Sequence, residues 1–468
     1  MPASIAKELA ALLIGLVLTG CGDHQPSSHS EERSLPGQQS TGSQFQAAPC
    51  AMALAPLASA DPGGREDRAE REVALYQQAV RRATRPVPHL ERLGWTFVEL
   101  ARIHSDPGFY KLAEQVAHCI DSKRPNSSEG LLLRGHVLHN LHRFKEAEVM
   151  ARKLVAQRGT WFDHGLLGDV LMEQGKLDEA IDAYQLMMDV RPGPQAYSRA
   201  AHMRWLRGDL AGAIEMMRKT VQASGSGRSE SAVWARVRLA LYRMQAGDLE
   251  AADRLVEGTL VLQPDYAPAL LARGRILLAQ GQCDAALPDL TRATDLNPLP
   301  EYQWTLIEAL RAAGRDEDAE ELEAQLRARG SIEDGRTYAL YLATIGRDLD
   351  TARRLAIQEL NVREDVFTLD TVAWALHASG RHQQAFALSR RALAEGTEDA
   401  RLFYHAGAIT ARAGDTEQAY RWLAQAMALQ QMLLPSERVA LAKEFAALAS
   451  QMPSPAAAHP VRRDPLTQ

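Results

Sequence analysis

Small residues recur in pairs twelve positions apart along most of this chain. Ala101/Ala113, Gly135/Ala147, Gly168/Ala180, Ala201/Ala213, Ala240/Ala252, Gly274/Ala286, Ala373/Ala385 and Gly407/Ala419 all obey the spacing. Successive pairs are offset by 34, 33, 33, 39 and 34 residues as far as Gly274, and the stretch between Ala286 and Ala385 holds further copies in phase. One supersecondary unit has therefore been copied in tandem. Such a chain cannot gather into a single core, because each unit buries its apolar face against its neighbours. That overrides the three domains or so that 468 residues would otherwise suggest.

The fullest copy runs from Trp161 to Pro192. Two apolar stripes at helical spacing flank Gly175, so the unit reads as helix–turn–helix. Gly168 and Ala180 are small because the two helices approach closely there; Asp178 is placed to cap the second helix and Pro192 to end it. The pattern resembles the tetratricopeptide repeat, and the resemblance implies an all-α, right-handed α-solenoid. About ten units fit between Gly94 and Leu433, two of them degenerate: Ile307 replaces one small residue, and an extra residue separates Gly346 from Ala352. A helix from Ala69 within a segment 69–93 is expected to cap the front of an array spanning 94–433. A second, within 434–451 and opened by Pro435, is expected to cap the rear, followed by a tail over 452–468. The loop from Ser224 to Ser231 accounts for the 39-residue offset and is a candidate hinge.

A net charge of −6 argues against a general nucleic-acid footprint. There is no Gly-rich phosphate loop, Cys-x-x-Cys pair or His-Glu-x-x-His. His136, His139 and His142 step by three, but no carboxylate or Cys completes a ligand set, so no metal or other cofactor is expected. Four cysteines, at 21, 50, 119 and 283, are too few and scattered for a disulfide framework, and Cys119 and Cys283 lie almost five repeats apart. At the N-terminus, Lys7 precedes an apolar run from Leu9 to Leu18 that is too short to span a bilayer but fits a signal-peptide core. Leu18-Thr19-Gly20-Cys21 resembles a bacterial lipobox, which implies a signal peptide over 1–20 and lipidation of Cys21. Gly22 follows the cysteine, and with Asp only at position 23 the resemblance favours the outer over the inner membrane. Residues 21–68 read as a flexible tether, including the more apolar stretch from Ala47 to Ala60.

Binding in solenoids uses the concave face, built from the first helix of each unit. The positions that should face it carry Trp95, Phe162, Trp205, Trp234, Trp304, Phe367, Trp374 and Tyr404, with polar members that include Arg102, His139, His202, Arg275, Asp370, Arg311 and Arg401. Five of the seven tryptophans fall there. Stiff aromatic area suits an extended or helical protein segment, although the same rings would also serve to space neighbouring helices. Trp304, with Glu301, Glu308 and Arg311 around it, is expected to stay partly wet. The reading is a lipid-anchored envelope scaffold for protein partners, with no small-molecule substrate. Signal, tether, repeats and tail leave no segment for a catalytic domain. The alternatives are a cytosolic interaction module or a regulatory subunit of an enzyme complex such as a glycosyltransferase.

Overall fold

The computed structural model describes residues 49–57, 68–103, 106, 108–225 and 227–451. The signal segment, Cys21, most of the tether and the tail over 452–468 lie outside them. The described residues are helical, without strands. Between Val87 and Ala428 twenty helices form ten successive hairpins, from Val87–Ile103 with Gly108–Lys123 to Ala400–Arg412 with Thr416–Ala428. The first hairpin opens at Val87, ahead of Gly94. Arg68–Arg82 packs before it and Pro435–Ala449 after the last.

The twelve-residue spacing has a direct steric cause. In the hairpin of Trp161–Glu173 and Leu177–Val190, a Cβ on Gly168 would lie 2.3 Å from the Tyr184 ring. Gly274 stands in the same relation to Leu290, and Gly407 to Leu423, each again at 2.3 Å. The large residue is always four positions after the small one on the second helix, one turn further on. Ala180, Ala286 and Ala419 are fully buried beside these contacts. The spacing is thus an interlock, with a bulky side chain of the second helix seated in a notch of the first.

Helix starts correct one detail. Where Asp directly follows the turn glycine, as at Asp209, Asp248 and Asp415, its carboxylate accepts from the amide three residues on, at 2.8, 3.1 and 3.0 Å. Asp178 is two residues too late for that role. Lys176 occupies the cap without a side-chain bond, and Asp178 forms an ion pair with Arg207 of the next hairpin.

The larger correction is at the front end. Cys50 and Cys119 form a disulfide with Cα atoms 4.7 Å apart. It fastens the helix Pro49–Ala53 to Gly108–Lys123, with Ala53 fully buried. Gln77 Nε2 donates to the Ala55 carbonyl at 2.8 Å, and Leu54 and Leu57 pack on the N-terminal core. A stretch expected as linker is therefore a folded strap, and two cysteines too distant in sequence to suggest a pair are joined. Beyond Gly225, Arg236 donates back to the Gly225 carbonyl at 3.2 Å, so the helices on either side of the insertion stay in register.

Candidate functional site: an enclosed concave face

The concave face is not an open groove. Successive turns of the superhelix touch, and the contacts run along a seam between segments about 130 to 190 residues apart. Arg363 reaches Glu173 at 3.1 Å, both buried. Thr397 Oγ1 donates to the Leu206 carbonyl at 2.6 Å, and Arg207 pairs with Glu395 at 2.6 Å. Further along, Gln431 Nε2 donates to the Gln245 carbonyl at 2.8 Å, and Arg438 to the Leu278 carbonyl at 2.7 Å. Ser436 donates from both its amide and its hydroxyl to Glu308, at 2.9 and 2.7 Å.

Two turn glycines record how close the turns come. Gly175 and Gly208 both have positive φ, and a Cβ on either would fall 2.6 Å from a carbonyl oxygen of the facing turn, Glu364 or Gly396. At the equivalent Gly247, Gly281 and Gly314 nothing lies within 4 Å. All five need glycine for the left-handed conformation, but only the first two need it for room.

Inside the seam is a cavity of about 770 Å³, walled by first helices from successive hairpins. Trp205, Trp234, Trp304 and Phe367 line it, as do Arg102, His139, His202, Arg275, Asp370 and Arg401. Trp205 and Phe367, from turns that meet at the seam, stack with centroids 5.7 Å apart, and Trp205 Nε1 donates to Gln245 at 2.8 Å. The remaining predicted rings lie elsewhere. Trp95 packs on His136 (5.2 Å), Phe162 on Trp161 (4.0 Å), and Trp374 on His405 (4.0 Å) and Tyr404 (5.6 Å). Trp95 and Trp374 thus fill the space between first helices of neighbouring hairpins, and Phe162 is buried against its own helix neighbour. Arg311 turns instead to Glu323 of its own hairpin, at 2.5 Å. Trp304 reaches the cavity wall but is 2% exposed, covered by Arg401 at 5.0 Å and Tyr341 at 5.6 Å, so it is not the partly wet ring expected.

The charged groups of the wall are largely neutralised in place. Arg401 grips Glu437 through two bonds of 2.6 and 3.0 Å. Burial opposes charge on Glu437, but the Arg401 guanidinium outweighs it and holds the carboxyl below the usual range. Burial lowers His139 to about 4 and His202 to about 3, so both are neutral at pH 7. Asp370 Oδ2 and His405 Nδ1 are hydrogen-bonded at 2.8 Å in the same layer. Among the described residues no group of three or more His, Cys, Asp or Glu side chains is placed to hold a metal ion. His136 and His139 are buried on the first-helix face, with His136 against Trp95. Sequence reasoning missed Glu173, Arg238, Tyr242 and Arg363 on this wall. Their offsets from the small residues differ from those of the tryptophans, and nothing local marks them.

A tetratricopeptide-repeat family model matches residues 166–228 and 271–331. No curated protein matches the chain. Among solved structures it is similar to yeast Tom70, at 14% identity over 82% of this chain and 93% of that one, with a TM-score of 0.34. It is also similar to Pseudomonas aeruginosa pilF, at 13% identity over 43% and 90%, TM-score 0.37. A third is YrrB, described as a TPR protein with an unusual peptide-binding site, at 14% identity over 42% and 97%, TM-score 0.30.

Proposed function

We propose that this tetratricopeptide-repeat protein is a cell-envelope scaffold, lipid-anchored through Cys21, that receives a segment of a protein partner in its central cavity. Repeats of this kind bind proteins or peptides. The observation that carries the reading is the wall formed by Trp205, Trp234 and Phe367, which come from three hairpins and meet on one cavity. Rings that served only as spacers would be covered as Trp374 is, whereas Trp205, Trp234 and Phe367 keep part of their surface free. Such rings offer large, stiff contact area at low entropic cost, which is where interface energy concentrates.

The envelope part rests on Leu18 to Cys21 and gains support from Cys50–Cys119, since structural disulfides persist in oxidising compartments. The strap also shortens the tether. Cys21 to Cys50 is 50 − 21 = 29 residues, a reach of at most roughly 100 Å. An array held that close to a membrane suits the assembly of an envelope machine such as a pilus, a secretion pore, a polysaccharide exporter or an outer-membrane protein.

Two measurements test this. Cys21→Ser should abolish labelling by a palmitate analogue and release the protein from the membrane fraction; unchanged labelling and fractionation would remove the anchor. A photo-crosslinking residue in place of Phe367 or Trp234, in intact envelopes, should trap the same partner from both positions. Trapping only from convex positions such as Val261 would place binding elsewhere.

A further inference from the structure

A side recess of about 40 Å³ opens beside the cavity, between the helices Ser128–Asn140, Trp161–Glu173, Pro194–Leu206 and Glu230–Gln245. His139, Glu173, His202, Trp234, Arg238 and Tyr242 line both spaces. Three polar atoms there have no hydrogen-bond partner: His139 Nε2, His202 Nδ1 and Tyr242 Oη. His139 and Tyr242 are 4% and 2% exposed. Buried polar groups are nearly always paired, and leaving one orphaned is costly. Three such atoms facing one recess mark it as a candidate polar binding site.

The charge balance of the recess gives the sign of what fills it. Asp169 is consumed by Arg199, in a bidentate pair of 2.8 and 2.6 Å, and by the Tyr184 hydroxyl at 2.8 Å. Glu173 is paired with Arg363, which also bonds Glu359 and lies 4.0 Å from Asp365. Arg238 lies over the Tyr242 ring at 5.4 Å and forms no ion pair with a described carboxylate. Arg238 is the guanidinium of the recess without a described carboxylate partner, beside two neutral imidazoles, a phenol and the Trp234 indole.

We propose that this recess binds the side-chain carboxylate of an Asp or Glu in the partner segment, with Arg238 as counter-ion and Tyr242, His139 and His202 as hydrogen-bonding partners. This rests on the cavity being a segment-binding site. The volume holds a group of about three heavy atoms, given that one water takes up roughly 10–15 Å³ by the same measure. A side chain branching from a segment laid in the main cavity reaches a lateral recess; a terminal carboxylate would require the chain to stop there.

The test titrates the full protein with three small probes and follows tryptophan fluorescence, since Trp234 lines the recess and Trp205 the cavity it opens from. N-acetyl-glutamate amide carries only the side-chain carboxylate, N-acetyl-glutamine only the terminal one, and N-acetyl-glutamine amide neither. A saturable response to the first alone is expected, weakened about tenfold or more by Arg238→Gln. Tyr242→Phe should weaken it less while leaving the melting transition in place. A response to the terminal carboxylate alone, an equal response to the neutral amide, survival of the response in Arg238→Gln, or no saturable response at all would each overturn the proposal. Failure here with crosslinking at Phe367 intact would leave the cavity as a segment site that does not select acidic residues, so the two readings fall separately.

Discussion

At the residue scale, the tryptophans divide into rings that hold the fold together and rings that face the cavity. Trp304 is covered by Arg401 over its ring and by Tyr341 packed at an angle to it, and Trp304→Ala should cost about 3–5 kcal/mol of stability. Trp234 keeps part of its surface in the cavity, and Trp234→Ala should leave the melting temperature nearly unchanged while reducing partner capture. Parallel melts and pull-downs separate the two; equal losses of stability would make the cavity wall mere packing. Histidine protonation gives a second prediction. Burial depresses His136 to about 3, and neither ring nitrogen has a partner. With His139 and His202 likewise low, the unfolded chain binds these protons more readily than the folded one. Their contribution is complete above about pH 6.5 and is lost as pH falls toward about 4 for His139 and about 3 for His136 and His202, by up to about 1.4 kcal/mol per pH unit for each group. Urea midpoints should therefore drop between pH 7 and pH 5, and His136→Phe should flatten the slope. A slope unchanged by that substitution would mean His136 is not the buried neutral group described.

At the element scale, what could be read from the sequence was whatever repeats locally. The interlock of Gly168 with Tyr184 lies within one hairpin, so it recurs every turn of the pattern and announces itself. The faces carrying Trp205, Trp234 and Phe367 follow from the same phase. The strap and the seam do not repeat. Cys50 meets Cys119 once, and Arg363 meets Glu173 once, across 190 residues. A single pairing of two ordinary residues leaves no periodicity to detect. Trp304 misled for a related reason: its own helix surrounds it with charge, but Arg401, from a later hairpin, covers it. The turn glycines make this difference measurable. Gly281→Ala should cost only the left-handed strain, about 1–2 kcal/mol. Gly208→Ala adds a methyl 2.6 Å from the Gly396 carbonyl, so it should cost more and speed hydrogen exchange at residues 395–398. Equal costs at both positions, with exchange unchanged there, would mean the turns do not meet.

At the scale of the whole molecule, the seam changes what kind of object a solenoid is. An open array is nearly one-dimensional: each unit feels its neighbours, and a local defect decays within a repeat or two. Here the turn after Ala267–Ala279 is also held by the end of the chain. Arg438 donates to the Leu278 carbonyl, and Arg275 to the Met432 carbonyl at 3.0 Å. Ala286 is fully buried in the same hairpin, beside the notch where Leu290 sits on Gly274. Ala286→Leu should overpack that contact at a cost of roughly 1–3 kcal/mol. In an open array the loss of hydrogen-exchange protection would stop at the flanking hairpins, about residues 245 to 330. In a closed one it should reappear at residues 430–440, some 150 positions away in sequence, with little change in the intervening hairpin of Val366–Ala378 and His382–Ala392. Exchange mapping by mass spectrometry reads both regions in one experiment. Loosening confined to the neighbours would mean the turns touch without sharing stability, and the cavity would then open and close at little energetic cost. Loosening in both places would make the wall of the cavity a single cooperative unit, which is what a site assembled from five or more hairpins needs if its side chains are to stay in place while a partner enters.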